Sequence, residues 1–336
     1  MQAVQTEKRT SSCIPFYEDV VKGLKATLKF LQSKYFYDAA GDRLFQEIMD
    51  SAEYYPTDCE REIFSLQTEG LAGALVAGGD GFDLIELGAG DASKSLHLLK
   101  YLMDVRADFR YLPIDISGSI ISYLNLTLPV SLPGIRIEGL HGEYFDMLTK
   151  AAKSSSRRKV VLFLGSNIGN MYPGEAERFC MELRRHLQPG DMVLVGVDLK
   201  KNPKVILAAY NDGGGVTKQF NLNLLTRINR ELGGNFDISQ FDHFPTYSPK
   251  TGTCKSYLVS LTDQDVRIGD ECFHFEEDEC IDMETSQKYT AKEVERLARD
   301  TGFRPVQTFF DHKEWFLDAI WVASNDKANR TSRQPG

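Results

Sequence analysis

The chain has 336 residues, 42% hydrophobic and 26% charged, the balance of an ordinary globular protein with room for one large domain or two that share an interface. Its formal net charge of −9 argues against nucleic-acid and anionic-membrane partners, which need a basic footprint. No apolar run approaches the roughly 20 residues that span a bilayer, and the polar start MQAVQTEKRTSSC lacks the apolar segment of a signal peptide.

The N-terminal part is helical and rich in tyrosine. Val20, Val21, Leu24, Leu28 and Leu31 predict a helix over 16–32, and Leu44, Phe45, Ile48 and Met49 a second one. Pro56 interrupts that pattern, and a third helix is expected from about Thr57.

From residue 82 the rhythm changes. FDLIELGAG reads as a strand ending in glycines, followed by a helix with Leu96, Leu99, Leu102 and Met103 on one face. FRYLPIDIS, IRIEGLHGEYF, KVVLFLGSNIGN and DMVLVGVDL are four further strand-like runs. Nearly continuous apolar strands alternating with helices imply a parallel sheet covered on both faces, an α/β doubly wound fold with ligands at the carboxyl ends of its strands. Arg157-Arg158-Lys159, the only short basic run, is expected to flank a strand rather than bind phosphate.

Residues 200–288 break the rhythm. A glycine run precedes a helix, and KSYLVSLTDQDVRI and FHFEEDECIDMET then alternate like antiparallel strands. Thr290 and Glu293 form a capping-box pair opening a helix with Val294, Leu297 and Ala298 on one side, and PVQTFFD and WFLDAIWVA complete the sheet. The expected division is 62–199 plus 289–325 as a Rossmann-like domain, and 13–61 plus 200–288 as a second lobe with a cleft between them. The termini, 1–12 and 326–336, are expected to fray.

Cys13, Cys59, Cys180, Cys254, Cys272 and Cys280 show no C-x-x-C pair and no zinc spacing, and the six histidines are equally scattered. Reduced thiols, a cytoplasmic location and no metal site are expected, with a Cys272–Cys280 disulfide as the less favoured alternative.

Gly88 and Gly90 sit where the first strand turns toward a helix, and glycine there allows a tight turn with backbone N–H groups close to a ligand. Asp115 ends the next strand, where a carboxylate can bind both hydroxyls of a ribose. The sixth position of the fingerprint is Ser93 rather than glycine, and Lys94 follows. S-adenosylmethionine (SAM) therefore suits the turn better than NAD, with Lys94 available to the methionyl carboxylate and Glu143 and Tyr144 to the adenine. The alternatives are a purely structural turn or an NAD-dependent oxidoreductase.

YFYDAAG–LF–I, EYYPT–E–I, ELGAGDASK, LFLGSNIGN, AAYNDGGGVT–FN and METSQKY occur in this order over residues 16–323. In these motifs the sequence resembles the histidine-specific N-alpha-methyltransferases of ergothioneine biosynthesis. The resemblance implies a SAM domain with a Rossmann-like sheet, plus a substrate lobe built from the N-terminal segment and the central insertion. It implies cofactor roles for Gly88, Gly90, Lys94, Asp115, Glu143 and Tyr144. It places Tyr54, Gly165, Asn170 and Tyr210 on the amine and carboxylate of an amino acid, Tyr37 beside the reacting nitrogen, and Glu284 and Ser286 on the imidazole. The implied reaction converts L-histidine to its N,N,N-trimethyl betaine; a monomer whose partner is this small molecule is expected.

These residue types suit the chemistry. Methyl transfer from a sulfonium to an amine is an in-line displacement governed by positioning, and the amine must first lose a proton. Tyrosine hydroxyls and an amide orient a zwitterion without adding full charge beside a sulfonium. A glutamate facing imidazole selects by hydrogen bonding.

The structural alternatives are core packing for Tyr54, helix capping for Asn170, and plain solvation for Glu284 within the acidic stretch 276–284. Three positions depart from the family pattern: Tyr257 where a methionine is common near the imidazole, Thr285 between Glu284 and Ser286, and Asn167 where a small hydroxyl residue is usual. Relatives of this fold also methylate other amino acids, so another amino acid or small amine is the alternative acceptor. A non-catalytic SAM- or nucleotide-binding regulator is the alternative from a different class.

Overall fold

A computed structural model describes residues 13–79 and 81–324, so the termini expected to fray lie outside the described residues. In chain order the elements are α1 (Cys13–Leu24), α2 (Ala39–Met49), α3 (Tyr55–Leu66), α4 (Thr68–Val76), β1 (Phe82–Leu87), α5 (Ser95–Asp104), β2 (Phe109–Asp115), α6 (Gly118–Ser131), β3 (Leu140–His141), α7 (Tyr144–Ser154), β4 (Arg158–Phe163), α8 (Pro173–Arg185) and β5 (Met192–Asp198). There follow α9 (Pro203–Ala209), α10 (Val216–Leu232), β6 (Phe241–Ser248), β7 (Thr253–Ser260), β8 (Gln264–Ile268), β9 (Glu271–Phe275), β10 (Cys280–Gln287), α11 (Ala291–Asp300), β11 (Phe303–Phe310) and β12 (Phe316–Ala323).

The chain divides into two compact units. One takes in the described residues up to Tyr55 together with Lys201–Ser286; the other comprises Pro56–Lys200 and the described residues from Gln287 onward. Residues 56–61, grouped with the N-terminal lobe in the sequence reading, fall in the second unit, where the α3 carboxylate of Glu60 is paired with Lys94.

The second unit is built on a seven-stranded sheet of order β11-β12-β5-β4-β1-β2-β3. The pairs β4–β5, β1–β4, β1–β2 and β2–β3 are parallel, and only β12 runs antiparallel to its neighbours. Every residue of β1 and of β5 is buried, as strands covered on both faces must be. The order reverses between β1 and β4, and the carboxyl ends of those two strands are the switch point at which such sheets take ligands. The run Arg157-Arg158-Lys159 leads into β4, and Lys159 and Arg110 neutralise the fully buried Asp83 at 3.0 and 3.2 Å. The expected third strand is only two residues long, extended by one bridge between Tyr111 and Ile137, because IRIEGLHG has glycines where a strand would need side chains to pack.

In the first unit, α1 stops at Leu24, short of the expected end. A side chain at Gly23 would collide with the Phe30 carbonyl, so the chain folds back there, and Leu28 is left 84% exposed. A three-stranded sheet, β10-β7-β6, and the separate hairpin β8–β9 enclose a core with α10, α2 and α1. β6 carries Pro245 in mid-strand, which hid it from sequence patterning; it is tolerated because β6 is an edge strand. Thr290 and Glu293 form the anticipated capping box of α11 in the other unit. Cys59, Cys180, Cys254, Cys272 and Cys280 are free thiols.

Candidate active site

In the sheet-bearing unit the turn after β1 has left-handed backbone at Gly88 (φ +70°) and Gly90 (φ +52°). The amide of Gly88 donates to the Ile114 carbonyl at 2.9 Å, which ties the turn to the end of β2. Asp115 follows on β2, and its carboxylate accepts from the amides of Gly90 (3.3 Å) and Ser117 (2.9 Å). Glu143 is the residue preceding α7, and Tyr144 opens that helix. A Cβ on Gly88 would stand 2.7 Å from the Tyr144 hydroxyl and 3.5 Å from the Asn167 amide nitrogen. Gly88, Gly90, Asp115 and Tyr144 thus converge, and glycine at 88 is required both by its backbone angle and by this close approach. Burial, with the nearby charges of Asp115 and Glu143 adding to it, pushes the Tyr144 phenol up to about 12, so it remains a neutral donor.

Lys94, expected to be available to a carboxylate ligand, already has a partner inside this unit. Its Nζ is paired with Glu60, whose side chain is completely buried, and the same carboxylate accepts from the Gly165 amide at 2.7 and 3.0 Å. Burial works against the Lys94 ammonium, but the charge and hydrogen bond of Glu60, with the nearby Glu86 and Asp318, together hold Lys94 above its ordinary value. Gly165 (φ +72°) is exposed, and a Cβ there would come within 3.1 Å of the ammonium. Asn170 ends the short 3-10 turn Asn167–Asn170 and is exposed, whereas Asn167 is the member of that turn beside Gly88.

In the other unit, aromatic rings do the placing. Tyr37, 43% exposed, meets Phe45 and Phe220 edge-on at 5.6 and 5.8 Å between centroids. Phe45 contacts Tyr54 at 6.5 Å, and Tyr54 contacts Tyr210 at 6.3 Å. The Tyr210 hydroxyl donates to Ser286 Oγ at 2.7 Å. Successive strand residues alternate faces, so Glu284 and Ser286 share one face of β10 while Thr285, 8% exposed, lies on the other. The Lys255–Asp282 ion pair joins β7 to that same face, which therefore also carries Tyr257 two residues after Lys255. The glycines 213–215 are not an anion cradle: Asp212 already accepts from the first amides of α10, those of Val216 and Thr217, both at 2.8 Å.

Sequence reasoning missed Glu60, Phe45 and Asp318. Glu60 was visible as an acid of the motif EYYPT–E–I, and Asp318 as a lone charge inside the apolar run FLDAIWVA. Phe45 gave no signal beyond a helical apolar position. Among the described residues one further group, Glu62, Asp311 and His312, gathers ligand-type atoms, but Asp311 spends its oxygens on the amides of Lys313, Trp315 and Phe316.

A sheet of this order, with a glycine turn after its first strand and a carboxylate closing the next, has the Rossmann-like architecture of SAM-dependent methyltransferases. A family model described as histidine-specific methyltransferase, SAM-dependent, matches residues 16–323, and the chain belongs to this family. The histidine N-alpha-methyltransferases of Mycolicibacterium smegmatis (strain ATCC 700084 / mc(2)155) and Mycobacterium tuberculosis (strain CDC 1551 / Oshkosh) are 35% and 34% identical to it over 295 residues, covering 87% of this chain and 90% of each relative. The N-methyltransferase imqF of Aspergillus flavus is 28% identical over 320 residues, covering 93% of this chain and 86% of that protein.

Proposed function

We propose that the protein methylates the α-amine of free L-histidine, stepwise to the N,N,N-trimethyl betaine. The observation that carries the choice of acceptor is the face of β10 on which Glu284 stands beside Ser286, with Ser286 bound by Tyr210. A carboxylate and a hydroxyl at that spacing offer an imidazole partners for both ring nitrogens, and a side chain lacking those nitrogens would leave them unpaired. The relatives named histidine N-alpha-methyltransferase support the same acceptor.

On this reading the sheet-bearing unit holds SAM through Gly88, Gly90, Asp115, Glu143 and Tyr144, with Lys94 aligned by Glu60. When bound, SAM supplies a methyl group on a sulfonium, which an amine lone pair displaces. Tyr54, Tyr210 and Asn170 orient the ammonium and carboxylate of the amino acid; Gly165 keeps the backbone open where a Cβ would press on Lys94. Each transfer needs a lone pair on nitrogen, so one proton leaves per methyl added. Tyr37, gripped by Phe45 and Phe220 but open on one side, is assigned to receive the amine's hydrogen bond and pass that proton to water.

Incubation with SAM and each amino acid separately, read by mass, tests the proposal: one, two and three methyl increments on histidine are expected. The second reading, the same chemistry on another amino acid, is favoured by Tyr257, which puts an aromatic ring on the face shared by Glu284 and Ser286. Increments on a different amino acid alone would select it. No helix among the described residues is long and apolar enough to cross a membrane, and we expect the enzyme to act as a monomer on a small molecule.

A further inference from the structure

Three buried acidic side chains gather around the part-buried Lys94 beside the glycine turn. Glu60 and Asp318 are both 0% exposed. They share a site opened by Gly196 on β5, which lies opposite Asp318 on β12: a Cβ on Gly196 would run into Glu60 Oε1 and stand 3.1 Å from Asp318 Oδ1. Glu86, at the end of β1, is capped by the Tyr111 hydroxyl at 2.5 Å. Neither oxygen of Asp318 has a hydrogen-bond partner in the described structure. A carboxyl in that position keeps its proton, and burial, reinforced by the Glu60 charge, drives Asp318 well above the usual carboxylate range. Glu60, which pairs with Lys94 and accepts from the Gly165 amide, is the acid that faces the ammonium, and Asp318 is its unpartnered neighbour.

This matters because the cofactor and its product differ in charge. SAM carries a sulfonium; loss of the methyl leaves S-adenosylhomocysteine (SAH), a neutral thioether with the same ammonium and carboxylate. An uncompensated Lys94 would attract the carboxylate of both forms equally but repel the sulfonium of one. We propose that Glu60 is a positioning residue that neutralises Lys94 and fixes the Gly165 amide, so that the turn presents an anchor for a carboxylate without a net positive charge against a sulfonium. The inference rests on the assignment of Lys94 to the cofactor.

Calorimetric titration of SAM and of SAH into the full-length protein tests it. Glu60→Gln keeps the size of the side chain and removes its charge, and the ratio of the SAM to the SAH dissociation constant should rise about tenfold. Lys94→Gln leaves Glu60 uncompensated, and the ratio should fall. Asp318→Asn replaces an acid that is already uncharged, and the ratio should stay within about twofold of wild type. A merely structural role for Glu60 would weaken both ligands alike, and an unchanged ratio in Glu60→Gln overturns the inference. A tenfold rise in Asp318→Asn would put the charge on the wrong acid and also overturn it. If Glu60→Gln does not fold, the direction of the Lys94→Gln shift decides; loss of the fold in both would make the pair a core element and contradict the proposal. Wild-type protein that binds neither ligand would instead contradict the cofactor reading itself.

Discussion

In the sheet-bearing unit the candidate cofactor residues are held by backbone geometry and buried charge: two left-handed glycines, an aspartate taking two amides, and an ion pair reaching from α3 to the loops after β1 and β4. In the other unit the candidate acceptor residues other than Gly165 and Asn170 are held by rings, from Tyr37 through Phe45 and Tyr54 to Tyr210, which ends on Ser286. The first arrangement suits a ligand whose recognised parts, ribose hydroxyls and a carboxylate, never vary. The second suits a site whose specificity depends on side-chain shape, since rings on loops and strand faces can be exchanged without disturbing a turn that has only one workable backbone. The two units should therefore fail independently when mutated.

The largest effect is expected at Gly88. Valine there would place its Cβ at 2.7 Å from the Tyr144 hydroxyl in a backbone region that valine avoids. SAM affinity measured by calorimetry should fall more than about 100-fold, while the circular dichroism of the other unit's helices and sheet persists. Unchanged affinity would remove the turn from the cofactor site.

The next test uses pH, because the units carry buried groups shifted in opposite directions. Burial pushes Glu86 up to about 7 from an ordinary 4.5, so its contribution to stability is complete below 4.5 and lost as pH rises toward 7. Glu86→Gln, a mimic of the neutral acid, should abolish about 2 kcal/mol of loss between pH 5 and 7.5 in urea denaturation. A slope unaltered by the substitution would mean that Glu86 ionises freely in the fold. In the other unit, burial lowers His243 to about 4 from 6.5, so its contribution is complete above 6.5 and lost as pH falls toward 4. His243→Gln should flatten the acid side of the profile by about 2 kcal/mol. An acid limb as steep as that of wild type would clear His243 of the role.

A smaller change should follow at Tyr210. Phenylalanine keeps the ring against Tyr54 and removes the hydrogen bond to Ser286. The KM for histidine should rise about tenfold, the order of one hydrogen bond, with SAM affinity unaltered. A fall in SAM affinity would show that the two sets of residues do not act separately.

These contrasts also explain what was legible in the sequence. The sheet, its glycine turn and Asp115 were readable because parallel strands leave continuous apolar runs and a turn of this kind tolerates few residues. Thr290 and Glu293 announced α11 through a local motif. β6 was hidden by Pro245, and the shortened α1 by a contact between Gly23 and Phe30. The role of Glu60 is non-local: an acid on α3 meets Lys94 and Gly165, 34 and 105 residues away, and no periodicity encodes such a meeting. For the same reason the sequence offered Lys94 as a lone cation.

The division between cofactor and acceptor recognition is tested most directly by the double substitution Glu284→Gln with Ser286→Ala. Calorimetry should return a SAM dissociation constant within about twofold of wild type, while kcat/KM for histidine falls about 100-fold. Histidine methylated at the wild-type rate, or SAM affinity falling in step with it, would contradict the assignment of β10 to the imidazole.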